Sequence, residues 1–216
     1  MRLTDLLRQH RSFLIPYLIF IILTFYIELK FTKGEFFLLT NQYHSIFFDW
    51  FFKTMTFFGD VKIAAVVIFC LCLVKYRYAV LMLGTFVYIS IIARLLKMFV
   101  HSPRPTKFFE GIHKIHTLPG YDVYEWNSFP SGHSTTAFSL AIVMMHLLTN
   151  KFRALVIFPL VLIVMYSRVY LAQHFFQDVV AGSVLATVLS YQFIWWLENA
   201  GWYNSTMLDG SFRLRE

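Results

Sequence analysis

Six apolar runs, each near the length needed to cross a bilayer, decide what this chain can become. They cover residues 12–29, 61–76, 78–98, 134–150, 153–172 and 178–197. A helix needs about 20 mostly apolar residues to span the hydrocarbon layer, and a water-soluble domain of this size cannot bury so many uninterrupted runs. Of the 216 residues 58% are hydrophobic and only 14% are charged, against roughly a quarter in ordinary soluble domains. The sequence therefore predicts an all-α, polytopic membrane protein with six transmembrane helices, folded as a single integral-membrane domain over residues 1–216.

The first run follows Arg2, Arg8 and Arg11, as a signal peptide would. It is longer than a typical signal core, and Glu28-Leu29-Lys30 is no small-residue cleavage site, so a retained membrane anchor is expected. Residues 41–58 differ from the six runs. Aromatic and polar residues alternate, and Asp49 and Lys53 stand four apart. An additional helix lying in the membrane interface fits this pattern, and so does a partly buried packing helix. Tyr191, Trp195, Trp196, Trp202 and Tyr203 are expected to form an aromatic belt where the last run leaves the membrane. Cys70 and Cys72 lie inside an apolar run and read as membrane-core residues rather than a disulfide or metal pair. The net charge of +7 is scattered between apolar runs, which argues against nucleic acid as a partner and for anionic lipid surfaces.

Six crossings put both termini on one side of the membrane and the connections after the first, third and fifth spans on the other. Lys and Arg fall nearly evenly on the two sides. The two short hairpin loops, with Lys75/Arg77 and Lys151/Arg153, are basic and lack acids, which favours cytoplasmic termini.

Three clusters then fall on one membrane face through span counting alone. The first, at the end of the third run, holds Lys97 and Arg104-Pro105. The second, Pro130-Ser131-Gly132-His133, opens the fourth. The third, Ser167-Arg168 with His174 and Asp178, crosses the turn between the last two. Lys97, Arg104 and Arg168 are costly at a bundle mouth unless paired, and a phosphate would satisfy them, Arg by bidentate contact and Lys as a point charge. Pro105 biases Arg104 toward an extended backbone. At the second cluster a helix start offers backbone N–H groups to an anion, Gly132 allows close approach and Ser131 adds a donor. His174 and Asp178 share a face if their segment is helical; Asp178 would then fix the His174 tautomer and leave the other ring nitrogen free as base or nucleophile. Each cluster alone has a plainer reading: snorkelling cations, a Ser-capped helix, an acid at a helix start.

Together the clusters resemble the type 2 phosphatidic acid phosphatase family, membrane lipid phosphatases related to vanadium haloperoxidases. The family pattern is matched at Lys97, Arg104-Pro105, Pro130 to His133, Ser167-Arg168, His174 and Asp178, a motif region of 97–178. The resemblance implies a metal-independent phosphatase or diphosphatase without cofactor. His174 would attack phosphorus and form a phosphohistidine, Asp178 would orient it, and His133 would protonate the leaving oxygen and then help activate water. Lys97, Arg104, Ser131, Gly132 and Arg168 would hold the phosphoryl oxygens. The compact form resembles bacterial members, so an inner-membrane protein with its site on the periplasmic face is expected. Candidate substrates are undecaprenyl diphosphate, phosphatidylglycerophosphate, phosphatidic acid and lipid A phosphates. The competing function is a lipid-phosphate carrier or flippase, which needs the cations but not the histidines.

His101, His113 and His116 fall on the same side as the clusters. The spacing of His113 and His116 suggests a metal pair, but membrane-surface or headgroup contacts suit them better. His10, His44 and His146 carry no signal. The segment 106–129, with Phe108, Phe109, Tyr121, Tyr124 and Trp126, is expected to lie over the site and shape headgroup selection.

Overall fold

A computed structural model describes residues 1–148 and 152–212. The expected hairpin cation Lys151 and the last two residues of the run 134–150 lie outside these. In chain order the helices are α1 (Leu3–Gln9), α2 (Arg11–Lys30), α3 (Lys33–Asn41), α4 (Ile46–Met55) leading into a 3-10 turn (Thr56–Gly59), α5 (Val61–Val74), α6 (Tyr76–Val100), α7 (Pro105–Phe108), α8 (Gly132–Leu147), α9 (Arg153–Tyr170) and α10 (Phe176–Glu198), followed by a second 3-10 turn (Thr206–Asp209). The described residues contain no named strand; one isolated bridge joins Pro103 to Trp126.

A helix therefore stands at each of the six predicted apolar runs. Four of them, α2, α6, α9 and α10, are long and apolar enough to cross a membrane. The pair formed by α4 with its 3-10 turn and α5 passes the same test together, with a bend of 51° between them. The fourth predicted run became α8, which at 16 residues is shorter. Pro159 lies inside α9, which continues through it.

Helix α8 forms the axis of the molecule and packs against α6, α9 and α10. Its first turns read Gly-His-Ser-Thr-Thr-Ala, and such small side chains let neighbouring helices approach closely. One close approach is at Gly182 of α10, where an added Cβ would lie 2.7 Å from the Ser131 carbonyl oxygen and 3.1 Å from Ser134 Cβ. Gly182→Ala is therefore expected to destabilise the fold by about 1–3 kcal/mol through overpacking, read as a lower thermal midpoint in detergent. An unchanged midpoint would mean that α10 yields at no cost. On the periphery, α2 exposes Ile15, Leu18, Ile22, Leu23 and Phe25, as a helix surrounded by lipid should.

Two expectations are corrected. Tyr191 and Tyr203 do not join an aromatic belt, because both are buried. Tyr191 hydroxyl lies 3.2 Å from His10 Nδ1, and Tyr203 hydroxyl donates to the Arg77 carbonyl oxygen; a buried phenol needs such a partner. Trp195, Trp196 and Trp202 stay exposed. His10 and His146, silent in the sequence, build a partly buried cluster: their rings pack edge to face, and His146 Nε2 meets Glu198 Oε1 at 3.0 Å. Burial, reinforced by His146 and Arg153, pushes His10 down to about 4.

Candidate active site

All three sequence clusters meet at one end of the bundle, each placed there by a local feature. Arg104 has the extended backbone expected before Pro105 (φ −84°, ψ 166°), and α7 begins at that proline. Ser131 caps α8, its hydroxyl oxygen accepting from the Ser134 N–H. Gly132 is the first residue of the helix, and nothing lies within 4 Å of where its Cβ would be. The amide end of α8 is thus open to a ligand, the arrangement that binds anions at helix starts.

The condition for His174 and Asp178 to share a helix face, a helix through both, is not met. Helix α10 begins only at Phe176, so His174 sits in the preceding turn and Asp178 in the first helical turn. His174 Nδ1 and Asp178 Oδ2 are 3.8 Å apart, too far for a direct hydrogen bond. Ser128 spans the gap. Its hydroxyl donates to Asp178 Oδ2 at 2.6 Å and lies 3.4 Å from His174 Nδ1. With its proton committed to the carboxylate, Ser128 Oγ is left to accept from Nδ1–H, which puts the lone pair of His174 on Nε2. Asp178 Oδ2 is held further by the Phe175 N–H at 2.9 Å.

Ser128 carried no signal in the sequence, although it stands only two residues before the Pro-Ser-Gly-His motif. It is fully buried. Ser128→Ala is expected to lower kcat roughly 10- to 100-fold, the effect of leaving a buried acceptor and the Nδ1 proton without their partner. A kcat unchanged in this variant would remove Ser128 from the machinery.

The cations lean on neutral acceptors. Lys97 Nζ donates to the Asn127 carbonyl oxygen at 3.0 Å. Arg104 donates from Nε to the Trp126 carbonyl oxygen, and from Nη1 to both the carbonyl and Oε1 of Gln173. Its guanidinium lies over the Tyr124 ring. Arg168 is only 4% exposed; its Nη1 donates to Thr56 Oγ1 and the Tyr121 hydroxyl, and its Nε has no partner among the described residues. Among the described residues none of the three forms an ion pair with a carboxylate. Burial, and then repulsion from Arg168, pushes Arg104 down to about 10. Burial, followed by the fields of Arg104, Arg168 and Lys97, holds His174 well below the ordinary imidazole value. At neutral pH His174 is therefore uncharged, with its lone pair free.

The segment 106–129 does lie beside these groups, and supplies most of their partners. It is pinned by Arg104 N–H to the Glu125 carbonyl oxygen and by Ser128 N–H to that of Ser102. Its middle is clamped to α3 and α4 by His116, the residue expected to touch headgroups. The His116 backbone exchanges hydrogen bonds with the Asn41 side chain, its Nε2 meets Asp49 Oδ1, and its ring stacks on His44. Asp49, which the spacing had set near Lys53, is taken instead by His116 and the Tyr170 hydroxyl. No group of three metal-ligating side chains comes together among the described residues.

The fold agrees with the comparisons to known proteins. The model of the PAP2 superfamily matches residues 75–202, and the chain belongs to that superfamily. Over 88 residues, 41% of this chain, it is 32% identical to a lipid A 4'-phosphatase of Porphyromonas gingivalis, and the match spans 37% of that relative's length. Its fold is similar to the crystal structure of Aquifex aeolicus LpxE, with a TM-score of 0.67, 22% identity, and 74% of this chain and 93% of that one covered. It is likewise similar to a transmembrane PAP2-type phosphatidylglycerolphosphate phosphatase from Bacillus subtilis, with a TM-score of 0.63, 22% identity, and 84% and 94% covered.

Proposed function

We propose that this chain is a metal-independent membrane phosphatase acting on a lipid phosphate. The observation that carries the reading is the line from Asp178 through Ser128 to His174, which leaves Nε2 as a free nucleophile beside cations that have no carboxylate partner among the described residues. In the first step Nε2 attacks phosphorus, the bond to the lipid oxygen breaks, and His133 gives that oxygen a proton. The bound phosphate neutralises Lys97, Arg104 and Arg168, and so supports the protonated form of His133 in the complex. In the second step water attacks the phosphohistidine, returns a proton to His133, and releases phosphate. Phosphoryl transfer depends on such positioning and charge stabilisation above all.

The same reading makes six of the helices membrane crossings and lays α4 along the interface, its exposed Ile46, Phe47 and Trp50 toward lipid. It puts the termini in the cytoplasm and the site on the periplasmic face of a bacterial inner membrane. Lipid A phosphate and phosphatidylglycerophosphate, the compounds in the relatives' names, join phosphatidic acid and undecaprenyl diphosphate as candidates. Segment 106–129, which holds the cations, would tune the choice among them. A carrier or flippase has use for the cations but none for a histidine oriented through Nδ1.

Phosphate release by the purified protein in detergent tests the reading, on a panel of these lipids with and without chelator. Equal release in both conditions and inhibition by vanadate are expected. Binding without release would identify a carrier, and loss in chelator a metal hydrolase. The profile of kcat/KM against pH should be bell-shaped. Because His174 stays neutral well below pH 6.5, the acid limb is expected below the ordinary imidazole value; a limb at or above it would contradict the assignment.

A further inference from the structure

Beside the candidate site lies a cavity of about 370 Å³ between the start of α5, the last turns of α6 and the start of α8. Lys97, Gly132 and His133 line it, and so belong to both the phosphate site and the cavity. His174, Asp178, Arg104 and Arg168 do not line it. The cavity therefore opens on the side of His133, the residue that protonates the departing oxygen, and away from the nucleophile. Gly59 keeps α5 against this point: a Cβ there would lie 3.0 Å from the His133 carbonyl oxygen and 2.9 Å from Val164 Cγ1.

A further cation lines the cavity and has no part in the motifs. Arg94 precedes Lys97 by three residues on α6, so the two project on one face, with Cβ atoms about 5–6 Å apart. Arg94 lies about 4.5 Å deeper along the helix axis, at 1.5 Å per residue. It forms no ion pair among the described residues. Exposed Ile91, Leu95 and Val61 neighbour it in sequence or line the cavity mouth, so the opening is set among side chains suited to lipid. Asp60, the carboxylate of this wall, accepts the Lys62 N–H through Oδ1 as the cap of α5, where the helix dipole offsets its charge. Arg94 and Lys97 outnumber it.

A cation beyond the general acid is of no use to a leaving alcohol, which is neutral once protonated. It is of use to a leaving phosphate. We infer that this cavity is a leaving-group subsite in which Arg94 holds a second phosphoryl group, making the preferred substrate a lipid diphosphate. The inference rests on the phosphatase reading and narrows it. His174 Nε2 bonds to the terminal phosphorus, and the bond from that phosphorus to the bridging oxygen breaks. The electron pair stays on the bridging oxygen of the departing lipid monophosphate, which takes its proton from His133. Water then cleaves the N–P bond, returns a proton to His133 and frees inorganic phosphate. Arg94 meets the charge that grows on the leaving phosphate in the first step.

The test compares a prenyl diphosphate with the prenyl monophosphate of the same chain, in detergent, with the full-length wild type, Arg94→Ala and Arg94→Lys. Arg94→Ala is expected to lower kcat/KM for the diphosphate roughly 10- to 100-fold, the range for a hydrogen bond to a charged group. It should change the monophosphate less than about threefold, and that activity also reports that the variant is folded. Arg94→Lys should restore part of the loss. Equal effects on both lipids, or none on either, would show Arg94 to be a snorkelling membrane cation and overturn the subsite alone. So would a wild type that cleaves only the monophosphate. A wild type that releases phosphate from neither prenyl lipid but does so from another lipid of the panel overturns this inference alone; release from no lipid of the panel overturns the phosphatase reading as well.

Discussion

His174→Ala is expected to cut phosphate release by on the order of 10⁴-fold or more, the scale seen when a nucleophile is removed from a covalent mechanism. The protein should still fold and insert. His174 sits in the turn between α9 and α10, and its N–H bond to the Arg168 carbonyl oxygen comes from the backbone, so the substitution leaves that turn intact. Loss of the ring removes Nε2 while the cations and the α8 amide end remain. Binding of vanadate or inorganic phosphate should therefore survive in the variant. Retained turnover would remove His174 as the nucleophile, and loss of both binding and folding would show that it holds the turn together instead.

Arg168→Met should produce two opposite changes. Arg168 is buried with an unpartnered Nε and neutral acceptors at Nη1. A phosphoryl group that reaches it gains a strong donor just where charge is redistributed, and losing one such donor costs about 10²–10³ in kcat. In the empty protein the same buried charge has no ion-pair partner among the described residues, and burial of that kind opposes folding. Methionine keeps much of the apolar stem and removes the charge. The variant is expected to be about 10³-fold slower and yet to melt no lower than the parent, with a higher midpoint the natural outcome. A clear fall in the midpoint would mean that the bonds to Thr56 and Tyr121 stabilise the fold by more than the desolvated charge costs.

The helical skeleton could be read from the sequence because lipid imposes a single rule on every span. Length and apolarity located α2, α6, α9 and α10 to within two residues, and motif spacing singled out residues that the fold brings to one end of the bundle. What escaped were contacts that depend on tertiary geometry. Ser128 is one serine in a loop, and nothing in its neighbourhood announces that it fills the 3.8 Å gap between His174 and Asp178. A shared helix face for that pair required a helix through both residues, and α10 begins only at Phe176, two residues after His174, a boundary that periodicity cannot place. Tyr191 and Tyr203 were assigned to a belt because an amphipathic ring suits an interface, but a hydroxyl with a buried partner lets the same ring sit inside the bundle. The long segment 106–129 showed its aromatics openly. Its use of main-chain carbonyls to hold Lys97 and Arg104 was hidden, since any sequence has carbonyls.

Those carbonyls have a consequence for turnover. Because Trp126, Asn127 and Gln173 hold the two cations without neutralising them, an arriving phosphoryl group displaces no competing anion. Inorganic phosphate, the product, inherits the same welcome once the lipid has gone, and it carries no hydrocarbon tail to draw it back into the membrane. On the proposed cycle free phosphate is therefore expected to act as a competitive brake, slowing release as its concentration rises.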